Sequence, residues 1–197
     1  MGHYPRCSLV LAASGAHEVA GTALASPQRM QNTNANRPSP GAPAPDLEFA
    51  VLGADEKRWS LKRAKPKNFS LLVFYRGKHC PVCKTYLKTF EGMFEDIQKR
   101  GVEIVALSMD TKSTAEAARK EWGIESIPVG YELNEETARS WGLYISDSIK
   151  GTEPKRFSEP GLFLVQPDRT LHYVAINSMP RVGDGPCSVI VVQRPEP

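Results

Sequence analysis

The sequence Phe69-Ser-Leu-Leu-Val-Phe-Tyr75 runs directly into Arg76-Gly-Lys-His-Cys-Pro-Val-Cys83. A continuous, mostly apolar run of this length is typical of a β-strand that is buried on both faces. After the cysteines, apolar side chains recur with the 3.6-residue period of an amphipathic helix until Gly101, namely Tyr86, Leu87, Phe90, Met93, Phe94 and Ile97. The chain therefore places a Cys-x-x-Cys pair at the junction between a buried strand and a helix.

This junction favours reactive cysteines. The N-terminus of a helix presents unpaired N–H groups and the positive end of the helix dipole, and both stabilise a thiolate relative to a thiol. Pro81 suits the first helical position, and the spacing brings Cys80 and Cys83 close enough to form a disulfide. Positive charge should help further, because no Asp or Glu occurs from 57 to 90 and several cations flank the pair: Arg76, Lys78, His79 and Lys84.

Two other interpretations of Cys80 and Cys83 are weaker. Free cysteine is often a small buried apolar residue, but a positively charged strand-to-helix junction is the setting of reactive cysteines. A zinc site would need two more ligands, and no second paired motif exists among the remaining candidates, which are His79, His172, His3, His17, Cys7 and Cys187. We therefore expect a redox pair that uses no metal and no cofactor, with His79 as a neighbour that tunes it.

The rest of the chain alternates between strand and helix patterns. One helix is predicted from a capping box formed by Ser113 and Glu116 to Trp122, and another begins at Asn134. Further strands are predicted at 47–52, 102–108, 127–133, 161–165 and 171–176. A tight turn at 166–169 joins the last two strands. This order predicts an α/β domain with a central mixed sheet flanked by helices.

Composition divides the 197 residues into three parts. Residues 1–45 are predicted to be a disordered, Pro-rich extension, because they contain few large apolar side chains after residue 25. The apolar run at 7–16 resembles a weak signal peptide, but His17 and Glu18 interrupt it. We therefore favour a cytoplasmic location over secretion. Residues 46–180 are predicted to form the folded domain, and 181–197 an irregular tail.

Charge and hydropathy exclude two classes of partner. The formal net charge of +3 is too small to indicate nucleic-acid binding. No apolar run approaches the roughly 20 residues that a membrane-spanning helix needs. We therefore expect a soluble protein that binds neither nucleic acid nor membrane. The residues do not specify an oligomeric state.

Three segments together resemble the peroxiredoxin-like branch of the alkyl hydroperoxide reductase and thiol-specific antioxidant family, the redoxins. They are residues 71–83, Gly101-Val-Glu-Ile-Val-Ala-Leu-Ser-Met-Asp110 and Phe157-Ser-Glu-Pro-Gly-Leu-Phe-Leu-Val165. The resemblance covers residues 41–180 and implies a thioredoxin-like fold and thiol redox activity. It also implies a small-molecule hydroperoxide or disulfide as substrate, and a thiol reductant such as a thioredoxin or glutathione.

The family signature is incomplete in this chain. Family members carry Pro-x-x-x-Thr-x-x-Cys after the buried strand; by position Cys83 is the peroxidatic cysteine, Cys80 replaces the Thr and Arg76 replaces the Pro. A distant family Arg falls on Pro160. The Thr and Arg hold the hydroperoxide in the family, so their absence weakens the expectation of fast peroxide reduction. A proline before a strand near such a pair also resembles thioredoxins, which implies that Glu159–Pro160 is cis and faces the cysteines.

Two functional hypotheses follow. In the first, the chain is a thiol-dependent oxidoreductase: Cys80, as the more exposed cysteine, attacks a disulfide and Cys83 resolves the product, or a hydroperoxide oxidises one cysteine and the other condenses with it. The second is a non-catalytic thioredoxin-fold binding module with an impaired C-terminus. It is motivated by 181–197, where the family's C-terminal helix is predicted to be missing or altered because no helical period is present.

Overall fold

The computed structural model describes residues 37–52, 58–148, 151 and 153–178. Within them, helices pack against a central sheet of five strands. In chain order the elements are β1 Glu48–Ala50, β2 Arg58–Ser60, β3 Phe69–Phe74, α1 Pro81–Gly92, α2 Phe94–Lys99, β4 Val102–Leu107, α3 Lys112–Trp122, β5 Val129–Gly130, α4 Glu135–Ser140, β6 Ile145–Asp147, β7 Arg156–Ser158, β8 Gly161–Val165 and β9 Leu171–Ile176.

The predicted mixed sheet is confirmed, with β3 at its centre. The strand order is β5-β4-β3-β8-β9. β3 pairs in parallel with β4, with Phe69 opposite Val102, and antiparallel with β8, with Phe74 opposite Gly161. Because β8 runs antiparallel, its first residue lies beside the last residue of β3. The segment before β8 therefore shares one end of the sheet with the loop that begins at Arg76.

Each face of β3 packs into a different hydrophobic core, as predicted for a strand buried on both sides. Leu71 and Val73 belong to the core that α1, α2 and α3 cover. Leu72 and Phe74 belong to the core that α4 covers. Other large buried side chains in these two cores are Leu87, Phe90 and Trp122 in the first and Trp141 and Phe163 in the second.

Two details of the helices differ from the prediction. The helix after the cysteines is interrupted at Met93 (φ −109°, ψ 6°), directly after Gly92, a residue that disfavours helix interiors. The N-cap of α3 is Thr111 and not Ser113, because the chain is still extended at Thr111 and helical directly after it. Thr111 Oγ1 accepts a hydrogen bond from the N–H of Thr114 at 3.3 Å. A glycine in the left-handed conformation ends α3, as predicted.

The strand predictions hold for most of the central sheet and for β1, which lies within the predicted 47–52, and they miss the other short strands. β3, β4, β8 and β9 lie where the sequence places them, whereas 127–133 contains only the two-residue β5. At Gly130 in β5, side chains of Phe49 and Leu107 occupy the space that a Cβ would need. The sequence does not predict β2, β6 and β7, because three residues are too few to reveal an alternating pattern.

Part of the predicted N-terminal extension is bonded to the sheet. The N–H of Gly41 donates to Leu171 O at 2.7 Å, and the N–H of Ala44 donates to Arg169 O at 2.8 Å. Residues 1–36 of the predicted extension, and the tail from residue 179 with its predicted change to the C-terminal helix, lie outside the described residues. In the part of the chain that is described, no helix is long and apolar enough to cross a membrane.

Glu91, in the last turn of α1, anchors the loop before β5. Its carboxylate accepts hydrogen bonds from the N–H groups of Glu125, Ser126 and Ile127 at 3.0, 2.7 and 3.1 Å. Burial alone would raise the pKa of Glu91, but these backbone donors outweigh it and hold the pKa below its usual value. We expect Glu91→Gln to lower the free energy of unfolding by about 1.5 kcal/mol at neutral pH, because bonds to a charged acceptor become bonds to a neutral one.

Urea unfolding at two pH values tests this role of Glu91. A carboxyl group with a depressed pKa stabilises the fold fully above the ordinary glutamate pKa, and the stabilisation is lost as the pH falls through the lower folded-state value. The difference between the natural chain and Glu91→Gln should therefore shrink in acid. Glu95→Gln, at an exposed pair with Lys99, is the matched control and should cost less than about 0.5 kcal/mol. An equal difference at both pH values would show that the charge is not involved.

Candidate active site

Cys80 and Cys83 form a disulfide at the start of α1, with their Cα atoms 5.3 Å apart. Cys80 is the N-cap residue: its backbone is extended, and its Sγ accepts a hydrogen bond from the N–H of Cys83 at 3.1 Å. Pro81 occupies the first helical position, as predicted. The expectation that Cys80 is the more exposed cysteine is wrong. Cys80 is 1% and Cys83 3% exposed, because both pack into the same core as Tyr75 and Leu87.

Asp110, three residues beyond the end of β4, holds the loop that leads to the cysteines. Its Oδ2 accepts a hydrogen bond from the N–H of Lys78 at 2.8 Å. Gly77 has a φ of 128°, and a Cβ there would lie 2.5 Å from Asp110 Oδ1, so only glycine allows this approach. The loop then closes through a bond from the N–H of Cys80 to Gly77 O at 3.1 Å. Burial raises the pKa of Asp110, and the N–H of Lys78 opposes the rise.

Acidic residues from other elements offset the predicted positive charge around the pair. Glu121 on α3 lies 3.1 Å from Lys84 Nζ and 3.3 Å from Lys78 Nζ. Hydrogen bonds from these two lysines lower the pKa of Glu121. The expectation that no acid lies nearby is therefore wrong, because packing brings α3 beside a loop that is distant in sequence.

Arg76 lies in a largely buried cluster with two acids. Its Nε is 3.4 Å from Glu159 Oε2 and its Nη2 is 3.8 Å from Glu153 Oε1. The guanidinium carbon lies 4.5 Å from the centroid of the Phe157 ring, which is a cation–π distance. Ser146 Oγ on β6 donates to Glu159 Oε1 at 2.7 Å. The side chains of Arg76 and Glu159 are only 17% and 5% exposed, so water screens this pair much less than a surface ion pair.

His79 contacts the same aromatic ring. The centroids of His79 and Phe157 are 4.7 Å apart. Burial, and then the charge of Arg76, hold the pKa of His79 below its usual value, although Glu153 acts in the opposite direction. Neither ring nitrogen has a hydrogen-bond partner among the described residues. A neutral imidazole therefore directly precedes Cys80 in the chain; its predicted tuning role stays a prediction.

The Glu159–Pro160 peptide bond is trans, so the predicted cis bond is wrong. Trans is the ordinary preference of a bond before proline, and the N–H of Glu159 donates to Tyr144 O at 2.8 Å in this conformation. Pro160 is buried and directly precedes β8. Pairing of β8 with β3 puts Pro160 at the same end of the sheet as the cysteine loop. A contact between Pro160 and the cysteines stays a prediction.

The sequence interpretation missed the acids that meet this loop, namely Asp110, Glu121, Glu153 and Glu159. A usable signal existed for Asp110 and Glu159. Asp110 follows a buried strand that runs parallel to β3, and Glu159 lies two residues before β8, so both belong to the sheet end that carries the cysteines. Among the described residues, no group of three or more His, Cys, Asp or Glu side chains is arranged to hold a metal ion.

Comparison with known proteins agrees with this architecture. The sequence model of the AhpC/TSA family matches residues 40–174. The chain is 28% identical over 147 residues to Peroxiredoxin-2 of Macaca fascicularis, across 71% of this chain and 70% of that protein. It is 27% identical over 145 residues to Peroxiredoxin-4 of Bos taurus, across 70% of this chain and 50% of that protein.

Solved structures share the fold at lower sequence identity. AhpC of Mycobacterium bovis matches with a TM-score of 0.64 at 15% identity, across 80% of this chain and 91% of that one. The reduced 2-Cys peroxiredoxin of Plasmodium vivax matches with a TM-score of 0.59 at 18% identity, across 73% and 76%. These similarities confirm the predicted thioredoxin-like α/β fold.

Proposed function

Because the chain belongs to the AhpC/TSA family, we propose that it is a thiol-dependent peroxidase whose reacting residues are Cys80 and Cys83. The observation that carries the proposal is the disulfide between these residues at the N-terminus of α1, directly after the buried strand β3. A disulfide is the product that a two-cysteine peroxidase forms when it has reduced one peroxide.

The proposed reaction has two oxidative steps. The thiolate of Cys83, at the family's peroxidatic position, attacks a peroxide oxygen; the O–O bond breaks, the sulfur becomes a sulfenic acid, and an alcohol or water leaves with a proton. Cys80 then attacks the sulfenic sulfur, the S–S bond forms and water leaves. A thiol reductant such as a thioredoxin or glutathione restores both thiols by exchange and is itself oxidised to a disulfide.

Residues around the pair support the charges that develop in these steps. The start of α1, with Pro81 at its first position, favours a thiolate. Arg76 supplies the cation for the peroxide oxygens that the distant Arg supplies in the family. The imidazole of His79, directly before Cys80, is proposed to tune the pair as a neighbour. Lys78 fixes the loop through its N–H, and Pro160 forms the wall on the β8 side.

Disulfide exchange is the second candidate, and the N-cap position of Cys80 favours it. The N–H of Cys83 points at Cys80 Sγ, which is the arrangement that stabilises a thiolate on Cys80. In this reaction Cys80 attacks a substrate disulfide and one substrate thiol leaves. Cys83 then attacks the mixed disulfide and releases the second substrate thiol.

Parallel assays of hydrogen peroxide consumption and insulin disulfide reduction test both candidates. We expect Cys83→Ser to abolish peroxide consumption, because it removes the sulfur that is oxidised first, and Cys80→Ser to retain peroxide consumption when a small dithiol replaces the resolving cysteine. A Cys7→Ser, Cys187→Ser double variant is the control and should keep the natural activity.

The outcomes separate the hypotheses. Loss of insulin reduction in both single variants, without peroxide consumption in the natural chain, would favour disulfide exchange. A folded natural chain that is inactive in both assays would refute the peroxidase and favour the non-catalytic binding module.

A further inference from the structure

We propose that Glu159 is a positioning residue that restrains the reactivity of the cysteine pair by acting on Arg76. This inference rests on the proposed function, because it concerns the charge that a reacting thiolate experiences. It starts from the two opposite charges that meet at the end of the sheet where the cysteine loop begins. The β8 side contributes the acid Glu159 immediately before Pro160, while the cation comes from Arg76 after β3, and the two meet at 3.4 Å.

The carboxylate of Glu159 is hydrogen-bonded through one oxygen, while the other faces Arg76 and has no hydrogen-bond partner among the described residues. Oε1 accepts the hydroxyl of Ser146 at 2.7 Å, and Oε2 faces Arg76 Nε. The residue is 4% exposed, so water solvates its carboxylate very little. Glu153 adds a second carboxylate at 3.8 Å from the guanidinium. The positive charge of Arg76 therefore faces two carboxylates.

The ion pair with Glu159 reduces the positive potential that Arg76 contributes at the sulfurs. A cation stabilises a thiolate by its net potential, and a carboxylate at ion-pair distance cancels much of that potential a few ångströms away. Because the pair is largely buried, solvent screens the cancellation only weakly. Removal of the charge on Glu159 should therefore strengthen the thiolate, even though it weakens the ion pair.

Other charged and titratable groups lie on the elements around the cysteine pair, and the test must leave them unchanged. The charged and titratable groups on the elements around the pair include Arg76, Lys78 and His79 on the loop, Lys84 and Tyr86 on α1, Tyr75 after β3, Asp110 after β4, Glu121 on α3, and Glu153 and Glu159 before β8. Glu159→Gln alters one of them, and its amide oxygen can still accept the Ser146 hydroxyl.

The experiment titrates the reduced thiols by the ultraviolet absorbance of the thiolate, in a chain with Cys7→Ser and Cys187→Ser. We expect Glu159→Gln to move the titration midpoint about half a unit to lower pH, and the rate of reaction with hydrogen peroxide at neutral pH to rise roughly twofold. Arg76→Gln should move the midpoint the other way. In the Arg76→Gln background, Glu159→Gln should move the midpoint by less, and the shift that remains measures the direct effect of the carboxylate on the thiols.

Two controls make the result specific. Glu153→Gln should shift the midpoint in the same direction by less, because its carboxylate is farther from Arg76. Glu48→Gln removes an acid that pairs with two arginines on the exposed β1–β2 ribbon, and should change nothing.

An unchanged midpoint in folded Glu159→Gln, or an undiminished shift when Arg76 is already absent, would overturn the inference. If Glu159→Gln does not fold, Glu153→Gln decides by the same two criteria. The titration requires no turnover, so a natural chain without peroxide consumption would refute the proposed function and still leave this test valid.

Discussion

Replacement of Gly77 by alanine is expected to lower the free energy of unfolding by about 3 kcal/mol and to slow the reactions of the cysteine pair. An L-residue is strained at a φ of 128°, and its Cβ would lie 2.5 Å from Asp110 Oδ1. The carboxylate would have to move away, and it would lose the N–H of Lys78. That hydrogen bond holds the loop immediately before Cys80.

Urea unfolding of single and double variants measures the contact between Gly77 and Asp110. Asp110→Ala removes the clash but not the backbone strain, so the double variant should lose less stability than the sum of the two single losses. Gly92→Ala is the matched control: beyond its chain neighbours and the backbone of its own helix, no atom of the described residues lies within 4 Å of the position that its Cβ would take, and alanine is the better helix former. Strictly additive losses at 77 and 110 would contradict the proposed contact.

Trp141→Ala is expected to destabilise the fold by about 4 kcal/mol, within the range for large aromatic residues in a core. Trp141 is fully buried, and its ring lies 4.8 Å from that of Phe163 and 5.6 Å from that of Phe74. Its removal would leave a cavity against both β3 and β8, where the surrounding strands cannot collapse easily.

Thermal or urea unfolding compares this variant with two others. Trp141→Phe keeps most of the volume and should cost clearly less. Trp59→Ala removes a half-buried ring that stacks on Phe49 in the small ribbon, and it should also cost less. A loss in Trp141→Ala no larger than that in Trp59→Ala would contradict the central role of this side chain.

The elements that could be predicted are those whose signal is local. β3 is a continuous apolar run, and α1 carries a proline at its first position and an apolar period of 3.6 residues. Asn134 caps its helix as predicted because the capping interaction involves only the next three residues. The ribbon formed by β6 and β7 carries no such signal, because strands of three residues are too short to show an alternating pattern.

The candidate site also combines features that the local sequence predicts with features that only tertiary packing determines. The cysteine spacing and Pro81 follow from the chain itself, but the charge at the site depends on tertiary packing. Arg76 lies in a stretch without acids, yet Glu159 reaches it from the segment between β7 and β8. The sequence also suggests that Cys80 is the more exposed of the two cysteines, whereas both are packed into a core.

Cys80 has a double role that couples chemistry to local stability. The same sulfur that forms the disulfide also caps α1 by accepting the N–H of Cys83. A thiolate is a much stronger acceptor than a disulfide sulfur and interacts favourably with the positive end of the helix. We therefore expect the cap that Cys80 forms on α1 to become a stronger hydrogen bond when the pair is reduced and Cys80 is a thiolate.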